Sequence, residues 1–392
     1  MRSYDVVIVG ASVSGASLAA CLGKAGLAVA LVDKASFPRR KACGEGLSNV
    51  ALAALGRMGF EMGDVVDSGL PYYAYRIDLE GRSHEFATGR ERRLRGIGMQ
   101  RTLLDQALLD QASRLPAVSS ICGVAVSGVR EDPEGYVVSL STGQTLRGRH
   151  LVLADGASSP CGRMLGIPVH RKANPLWGMS FILEGSFSRF AGEVVVILKE
   201  GFEVNCTPVS PSRLNVTFLA KREKVRALQD PRLRARLLAE AKEKSCFTGQ
   251  AMGKPLQVGP VGTARRGYAH GSVMLVGDAA ENLDPIAGMG MTHGILMAEM
   301  AAESLIPVCR DGVESGPSLA RYAGRAGRMG RSYRGFTRLT ASVLRSPARR
   351  VLLPALSATF LPGVIRSSLD EDSTWESHAP AFPKRILSLA GV

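Results

Sequence analysis

The sequence predicts an α/β fold in which a Rossmann-like parallel-sheet domain is interrupted by a β-rich insertion and followed by a helical C-terminal region. Short apolar runs ending near a glycine or an acid recur at residues 5–9, 151–154 and 272–276, as strands buried on both faces do. Residues 176–221 instead alternate apolar and polar side chains, which predicts a large antiparallel sheet. From residue 315 the chain is basic with a helical period, so helices should follow.

The first 34 residues have the pattern of a βαβ unit. The β-branched strand at residues 5–9 runs into a tight turn at residues 10–15 and then into an alanine-rich helix that can pack closely on a sheet. The second strand, residues 27–32, ends at Asp33, whose carboxylate can accept both hydroxyls of a ribose. The free N–H groups at the start of the helix would face a pyrophosphate. This order of elements predicts a dinucleotide-binding site.

The turn departs from the usual G-x-G-x-x-G fingerprint at one position. Gly10 and Gly15 stand where the first and last glycines belong, but Ser12 replaces the second and leaves less room for a phosphate. An ordinary packing turn is the alternative interpretation. The strand before the turn, the helix after it and the acid at position 33 favour the dinucleotide site.

Composition is that of an ordinary globular protein. The chain has 392 residues, 45% of them hydrophobic and 21% charged, which suits two joined domains around a large core. Seven cysteines are scattered without a close pair, so we expect reduced thiols, with neither a disulfide framework nor a metal site. Because the start runs directly into a core strand, we expect no signal peptide and a cytoplasmic protein.

Positive charge is concentrated toward the C-terminus of this chain, whose formal net charge is +14. Residues 315–369 contain no acid, and arginines recur in steps of three and four, which predicts one broad cationic side on a helix. These are Arg321, Arg325, Arg328, Arg331, Arg334, Arg338, Arg345, Arg349, Arg350 and Arg366. The pattern fits a solvated face, or a surface for membrane lipid, an acidic carrier protein or a phosphorylated cofactor. Residues 351–365 are too few to span a bilayer, and the sequence contains no nucleic-acid module.

The remaining elements follow in order. The cationic, glycine-containing loop at residues 37–47 is placed to touch a ligand, although a plain connector is the alternative. Arg101, in the first turn of the next helix, is either a ligand contact or half of a local ion pair. Residues 124–146 predict a β-hairpin, residues 231–244 a helix and residues 291–305 a long helix.

These elements predict three regions with a cleft between the first two. The regions are residues 1–70, 95–170 and 265–310 for the discontinuous nucleotide-binding domain, residues 71–94 and 171–264 for a β-rich substrate domain, and residues 311–392 for a basic helical C-terminal region.

Three separated motifs occur in a recognisable order. They are Gly10-x-Ser12-x-x-Gly15, then Asp155-Gly156-x-x-Ser159 with Arg163, then Gly277-Asp278 leading into Asp284-Pro285-x-x-Gly288-x-Gly290. With them, the first 305 residues resemble the FAD-dependent oxidoreductases built like para-hydroxybenzoate hydroxylase, a superfamily that includes aromatic hydroxylases, epoxidases, flavin halogenases and geranylgeranyl reductases. The resemblance implies a Rossmann-like FAD-binding domain of the glutathione reductase type.

The resemblance also implies which residues hold FAD. Asp33 and the phosphate turn would hold the adenosine ribose and pyrophosphate, and Asp278 would accept a ribityl hydroxyl. Pro285 would lie against the isoalloxazine ring, while Gly288 and Gly290 would aim N–H groups at flavin N1 and C2=O and stabilise the reduced flavin. The implied cofactor-binding residues are Gly10, Ser12, Gly15, Asp33, Lys41, Arg101, Asp155, Gly156, Gly277, Asp278, Pro285, Gly288 and Gly290.

Two enzyme classes are compatible with this resemblance. The favoured one is a monooxygenase that takes electrons from NAD(P)H, near Asp155 and Gly156, and hydroxylates or epoxidises a hydrophobic substrate through a C4a-hydroperoxyflavin. The alternative is a geranylgeranyl reductase-like ene-reductase acting on an isoprenoid double bond. The loop at residues 41–47 also resembles the corresponding loop of the geranylgeranyl reductase branch. A non-enzymatic flavin-binding scaffold is a third reading. Halogenation is disfavoured because the WxWxIP signature is absent.

Four side chains are candidate catalytic groups, and a structural role is the alternative for each. They are Cys43, Glu45, Glu281 and His293. Aromatic residues of the predicted antiparallel sheet suggest a small hydrophobic substrate. The basic C-terminal region suggests that a carrier or a membrane presents this substrate, with peripheral membrane contact through that region. These aromatic residues are Phe181, Phe187, Phe190 and Phe202.

Overall fold

The N-terminal βαβ unit lies at the centre of an eight-stranded sheet. Its strands are β1 (Arg2–Val9), β2 (Val29–Asp33), β8 (Val118–Cys122), β9 (Val126–Asp132), β10 (Gly135–Leu140), β11 (Thr145–Leu153), β19 (Ala269–His270) and β20 (Val273–Leu275). β1 pairs in parallel with β2 and β11, β8 joins β2 and β20 joins β11 in the same direction, and β9 and β10 form an antiparallel hairpin. The computed structural model describes residues 2–79, 82–87, 94–173, 175–187, 192–234, 236, 248–262 and 264–351.

The helix that follows β1 packs against two other helices. The described helices are α1 (Val13–Lys24), α2 (Asn49–Arg57), α3 (Gly63–Asp67), α4 (Arg101–Ser113), α5 (Pro160–Met164), α6 (Arg222–Ala227), α7 (Gly290–Asp311) and α8 (Ser315–Arg345). α1 contacts both α4 and α7, because its fully buried Ala16, Ala19 and Ala20 let neighbours approach closely. α7 in turn packs against α2 and α8. The carboxyl ends of the parallel strands therefore open onto the starts of α1 and α7.

A second sheet of seven strands forms the β-rich part. Its strands, in spatial order, are β17 (Thr248–Val261), β13 (Leu176–Ser186), β16 (Arg213–Ala220), β15 (Phe202–Ser210), β14 (Glu193–Lys199), β5 (Ala74–Leu79) and β6 (Arg82–Ala87). All neighbours are antiparallel except β14 and β5. Smaller sheets pair β3 (Gly46–Ser48), β7 (Gly96–Gly98) and β4 (Leu70–Tyr72), and β12 (His170–Arg171) with β18 (Ala264–Arg265). The predicted α/β fold class is confirmed.

The second sheet has its own apolar core on one face. In β16, Leu214, Val216 and Phe218 point into this core, whereas Asn215 and Thr217 between them point to the opposite face, as the two-residue period of a strand requires. Phe181 and Phe187 are buried in the same core, and Phe202 packs on it. These aromatic residues stabilise the sheet, so they are not evidence for the nature of a substrate. Phe190 lies outside the described residues.

Helix α8 buries its apolar side and exposes only part of its arginines. Tyr322, Met329 and Tyr333 are buried, as their spacing predicts. Arg321, Arg328, Arg331 and Arg338 are exposed. Three others are not free for an anionic partner, because they pair with carboxylates elsewhere in the fold: Arg325 with Glu303, Arg334 with Glu281, and Arg345 with Glu203 and Asp284.

Several sequence predictions fall partly or wholly outside the described residues. Residues 231–234 are helical, but most of the helix predicted at 231–244 and everything after residue 351 cannot be compared with the structure. Within the described ranges, no helix is both long and apolar enough to cross a bilayer. The division into three regions stays a prediction.

Candidate cofactor and substrate site

The phosphate turn leaves no room for side chains at two of its glycines. Gly10 has φ +107°, and a Cβ there would lie 2.3 Å from the carbonyl oxygen of Ala154 at the end of β11. A Cβ at Gly15 would lie 1.8 Å from the carbonyl oxygen of Gly10. Both contacts are far inside van der Waals distance and involve backbone that cannot move independently. The close approach of β1, β11 and α1 therefore requires glycine at both positions.

We expect Gly15→Ala to abolish FAD retention and to destabilise the fold by about 3 kcal/mol, because the methyl group would push α1 away from the turn. Gly56→Ala in α2 is the matched control, since nothing lies within 4 Å of its Cβ position. In a helix this control should be neutral or stabilising by about 0.5–1 kcal/mol. Urea unfolding and flavin absorbance after gel filtration would measure both. Retention of FAD by Gly15→Ala at wild-type level would contradict the assignment of the turn.

Asp33 closes the turn from the tip of β2. Its carboxylate accepts the Ala11 amide at 2.7 Å and the Ala35 amide at 2.8 Å. These bonds hold the side chain half-buried at the carboxyl edge of the sheet. A carboxylate has further lone pairs for ribose hydroxyls, so the position is compatible with the predicted role.

Arg101 forms a buried ion pair beneath the turn. Its Nε lies 2.8 Å from Asp105 Oδ1 and its Nη2 2.8 Å from Asp105 Oδ2, and Nη2 also donates to the hydroxyl of Ser12 at 2.8 Å. Arg101 is 3% exposed and Asp105 is fully buried. Burial is the largest single effect and lowers the pKa of the guanidinium, but Asp105 and Cys43 together outweigh it, so the net pKa is raised. The local ion pair that the sequence left open is therefore present, and it also fixes Ser12.

The loop after β2 brings Lys41, Cys43 and Glu45 beside this ion pair. The pKa of Lys41 is lowered by burial and by Arg101, while the nearby Asp278 and Asp105 oppose the shift. Cys43 Sγ accepts the Glu45 amide at 3.4 Å. The loop thus joins the phosphate turn to the third motif, which the sequence alone did not show.

Glu45 is the most unusual residue of this loop. Its backbone is left-handed, with φ +58°, although it is not a glycine. Its Oε1 accepts the Arg101 amide at 3.2 Å, whereas Oε2 is buried with no hydrogen-bond partner. Burial raises the pKa of this carboxyl to about 7, against the opposing effect of Arg101. Strain and an unpartnered buried oxygen in one residue are characteristic of functional sites.

The polar face of β16 meets the same loop. Thr217 Oγ1 lies 3.1 Å from the Cys43 carbonyl oxygen and 3.0 Å from Asn215 Oδ1, and its single proton can be donated to one of them at a time. Asn215 lies close enough to Glu45 to influence its pKa. Both β16 side chains are buried. The neighbouring Asn205 on β15 is only half-buried. Asn205, Asn215 and Thr217 therefore form a polar row on the face of the second sheet opposite its apolar core, and this row contacts the loop at Cys43.

The middle motif is held by a local network. Asp155 Oδ2 accepts the Cys161 amide at 3.0 Å, while Oδ1 is buried without a partner and burial raises the pKa of the carboxyl. Arg266 binds the carbonyls of Ala157 at 3.0 Å and Ser158 at 2.9 Å. A Cβ at Gly156 would meet open space. The predicted contact with FAD and NAD(P)H is compatible with this open approach.

The third motif lies directly against α1. A Cβ at Gly277 would lie 2.6 Å from the hydroxyl oxygen of Ser14, and a Cβ at Gly294 in α7 would lie 2.3 Å from it. Asp278, next in the chain, is half-buried beside Lys41. This packing places the first and third motifs together, as the sequence order predicts for a shared ligand.

The loop before α7 is open at its glycines. Asp284 caps the turn through the Ile286 amide at 3.1 Å, and Pro285 begins a short 3-10 helix. Gly288 has φ +64°, and Cβ positions at Gly288 and Gly290 have no atom within 4 Å. No side chain caps the start of α7, and no acid lies in its first turn. Its free N–H groups therefore face accessible space that suits negative charge.

Two of the candidate catalytic groups lie behind this loop. Glu281 accepts hydrogen bonds from the Tyr268 hydroxyl at 2.6 Å and from Arg334. His293 is 1% exposed, has no partner at Nε2, packs edge-on against Tyr333, and burial lowers its pKa to about 3. The ion pair favours a structural role for Glu281, and a histidine that stays neutral cannot donate a proton as imidazolium.

The site fits FAD in three respects. The starts of α1 and α7 both lack side-chain caps and first-turn acids, as a pyrophosphate and a reduced flavin require. Gly156, Gly288 and Gly290 border open space, since no atom lies within 4 Å of a Cβ built at any of them, so a ligand could approach the backbone there. Arg101 contacts Ser12 in the phosphate turn, and Lys41 lies near both Arg101 and Asp278 of the third motif. The fold and these residues define a dinucleotide-binding flavoprotein.

Comparison with known proteins agrees with this class. The chain matches the family described as FAD binding domain over residues 3–330, and it belongs to that family. A menaquinone reductase from Mycolicibacterium smegmatis is 31% identical over 317 residues, which are 76% of this chain and 75% of that protein. The ubiquinone hydroxylase UbiL of Rhodospirillum rubrum is 29% identical over 346 residues, 81% of this chain and 76% of that protein.

Solved structures give the same fold. PqsL from Pseudomonas aeruginosa, described as a probable FAD-dependent monooxygenase, superimposes with a TM-score of 0.76 at 23% identity and covers 91% of this chain and all of its own. The resemblance to the para-hydroxybenzoate hydroxylase-like superfamily is thus confirmed, and the chain is an enzyme of this FAD-dependent monooxygenase family.

Sequence reasoning missed several residues that shape the site. Asp105 could have been found, because it lies four residues after Arg101 on a predicted helix. Asn215, Arg266, Arg334 and Arg345 meet partners far away in the chain, and no local pattern indicates such contacts.

Proposed function

We propose that the protein is an NAD(P)H-dependent monooxygenase that hydroxylates or epoxidises a hydrophobic organic substrate. The observation that supports it most is the family match over residues 3–330, together with the uncapped, open start of α7. When bound, FAD supplies the redox chemistry, taking electrons from NAD(P)H and activating dioxygen. The protein itself then has to bind and orient the cofactor and the substrate, exclude water from the site and supply or accept protons.

Three parts of the chain divide these tasks. The N–H groups at the start of α7 stabilise negative charge at the open loop. The second sheet, whose strand β15 packs against β7 and β4, would cover the site and limit access of water. Burial raises the pKa of the Glu45 carboxyl to about 7, so about half of these groups hold a proton at neutral pH and most do at pH 6. We propose Glu45 as the proton donor of the site.

The polar row on the second sheet supports a substrate that carries oxygen atoms. Asn205, Asn215 and Thr217 can exchange hydrogen bonds with carbonyl or hydroxyl groups. The similar ubiquinone hydroxylase and menaquinone reductase act, by their names, on quinones. We therefore propose a quinone or a related oxygenated ring as the substrate class.

A second candidate function is flavin-dependent reduction, including the ene-reduction of an isoprenoid double bond. The menaquinone reductases from two mycobacterial genera, 29–31% identical to this chain, favour a reductase. Cys43 lies in the loop beside Arg101, and an ene-reductase could use it there if the flavin lies next to this loop. Neither relative's name states which bond is reduced.

One experiment separates the two functions. The purified protein should be yellow, and heat denaturation should release free FAD. With NADPH or NADH and a quinone, the monooxygenase should consume one O₂ per product and place one ¹⁸O atom from labelled dioxygen in it. Full turnover under strict anaerobiosis, with a product that gains two hydrogens, would establish the reductase instead. Colourless protein that takes up no FAD on reconstitution would refute both.

We further propose that the exposed arginines of α8 contact anionic membrane lipid, from which a hydrophobic substrate could be drawn. Arg321, Arg328 and Arg331 are exposed and lie close together on the helix. Sedimentation with vesicles containing phosphatidylserine should capture the protein at low salt, and replacement of the three by glutamine should reduce capture severalfold. Equal binding to neutral vesicles would contradict this proposal.

A further inference from the structure

Arg345, the last residue of α8, holds two carboxylates from different parts of the fold. Its Nη1 lies 2.6 Å from Asp284 Oδ2 and its Nη2 2.8 Å from Asp284 Oδ1. The same Nη2 lies 3.0 Å from Glu203 Oε2, and Nε donates to Glu203 Oε1. Both pairs are bidentate, the geometry that gives a guanidinium its strongest and most directional contacts.

The two carboxylates belong to different parts of the fold. Asp284 begins the open loop that leads through Pro285 to Gly288 and caps it through the Ile286 amide. Glu203 lies on β15 of the second sheet, on the face opposite that sheet's apolar core. One guanidinium therefore joins α8, the loop before α7 and the second sheet.

The charges of this cluster depend on one another. The side chains of Arg345, Asp284 and Glu203 are 28%, 16% and 10% exposed. Burial raises the pKa of Glu203, and Arg345 opposes that shift. Without the guanidinium, two carboxylates would face each other in a poorly hydrated place, with Arg349 as the remaining positive charge that acts on Glu203, and the net negative charge beside the loop would increase.

A second arginine of α8 reaches the same segment. Arg334 pairs with Glu281, three residues before Asp284. At Gly330, one turn earlier in α8, a Cβ would lie 1.7 Å from the Tyr268 hydroxyl and 2.8 Å from Glu281 Oε2, so α8 approaches here as closely as glycine permits. The segment from Glu281 to Asp284 is thus held at both ends by α8.

We propose that Arg345 is a positioning residue for the flavin: it fixes the loop from Asp284 to Gly288 and neutralises Asp284 so that reduced flavin is tolerated beside it. The proposal rests on the proposed FAD site. It assigns a role in that site to the basic C-terminal region, which the sequence alone suggested only as a surface.

The test compares Arg345→Gln, Arg345→Lys and the double variant Asp284→Asn/Arg345→Gln with the wild type. In Arg345→Gln the ratio of reduced to oxidised flavin at a fixed potential should fall about tenfold. This corresponds to a decrease of about 30 mV in the reduction potential of a two-electron couple. The double variant restores the net charge, so its potential should return toward wild type, while its FAD dissociation constant stays about tenfold raised. Arg345→Lys keeps the charge and should keep the potential but bind FAD less tightly.

Arg310→Gln is the matched control, because Arg310 makes a bidentate pair with Asp311 at the exposed end of α7. It should change neither the potential nor FAD affinity. If the Arg345 variants lose thermal stability but keep the wild-type flavin potential and FAD dissociation constant, Arg345 has only a structural role, and the proposal is overturned. If the wild type itself binds no FAD, the FAD site fails, and this proposal fails with it.

Discussion

Replacing Arg101 with methionine should destabilise the protein by about 3–5 kcal/mol and remove most bound FAD. Asp105 is fully buried, and the variant would leave its carboxylate with weaker partners: Arg39, whose Nη2 is 3.4 Å away, a long hydrogen bond of 3.5 Å from the Ser12 hydroxyl, and the nearby Lys41. Breaking a buried pair from one side costs this much because the remaining charge is desolvated and uncompensated. The change would also release Ser12, which receives a hydrogen bond from Arg101 in the phosphate turn.

A control and a double variant separate folding from cofactor binding. Arg57→Met removes a bidentate pair with Glu299 in which the arginine side chain is 54% exposed, and should cost less than about 1 kcal/mol. Arg101→Met/Asp105→Leu removes both buried charges and should regain most of the stability lost by Arg101→Met, but not the FAD affinity. Urea unfolding and FAD titration measure the two effects. A double variant that binds FAD like the wild type would show that Arg101 only neutralises Asp105.

The sequence predicted the position of the site because parallel strands bring their carboxyl ends to one edge. Val9, Leu153 and Leu275 end adjacent strands, and the three motifs follow them directly. Glycine at 10 and 15 was predictable for the same reason, since only close backbone contact requires glycine in such a turn.

The sequence predicted less about the second sheet and the C-terminal helix. Alternation along β16 separates two faces, but it does not say which one meets the cleft, and Phe181 proved to lie on the other. Likewise, the arginine period predicted the buried side of α8 correctly, yet Arg345 has its partners 61 and 142 residues away. Such contacts depend on how the elements are assembled, and a single sequence contains no local sign of them.

Glu45→Gln should remove a pH dependence of stability that the wild type shows between about pH 4.5 and 7. Folding raises the pKa of this carboxyl from 4.5 to about 7, so the folded state holds its proton more tightly than the unfolded state. Stability from this group is complete below pH 4.5 and is lost as the pH rises through about 7. The free energy of unfolding should therefore fall by about 3 kcal/mol more in the wild type than in the variant across this window.

The same variant tests the proposed proton donor. Glutamine keeps the shape of the side chain and its contact with the Arg101 amide but cannot give up a proton. Turnover should fall about 100-fold at pH 6, and the decline in wild-type activity near pH 7 should disappear. Glu303→Gln, at an exposed ion pair with Arg325, should leave both profiles unchanged. Glutamine lacks the carboxyl proton of Glu45. If Glu45→Gln flattens the stability profile but turns over normally, the reaction does not need this proton, and Glu45 is not the proton donor.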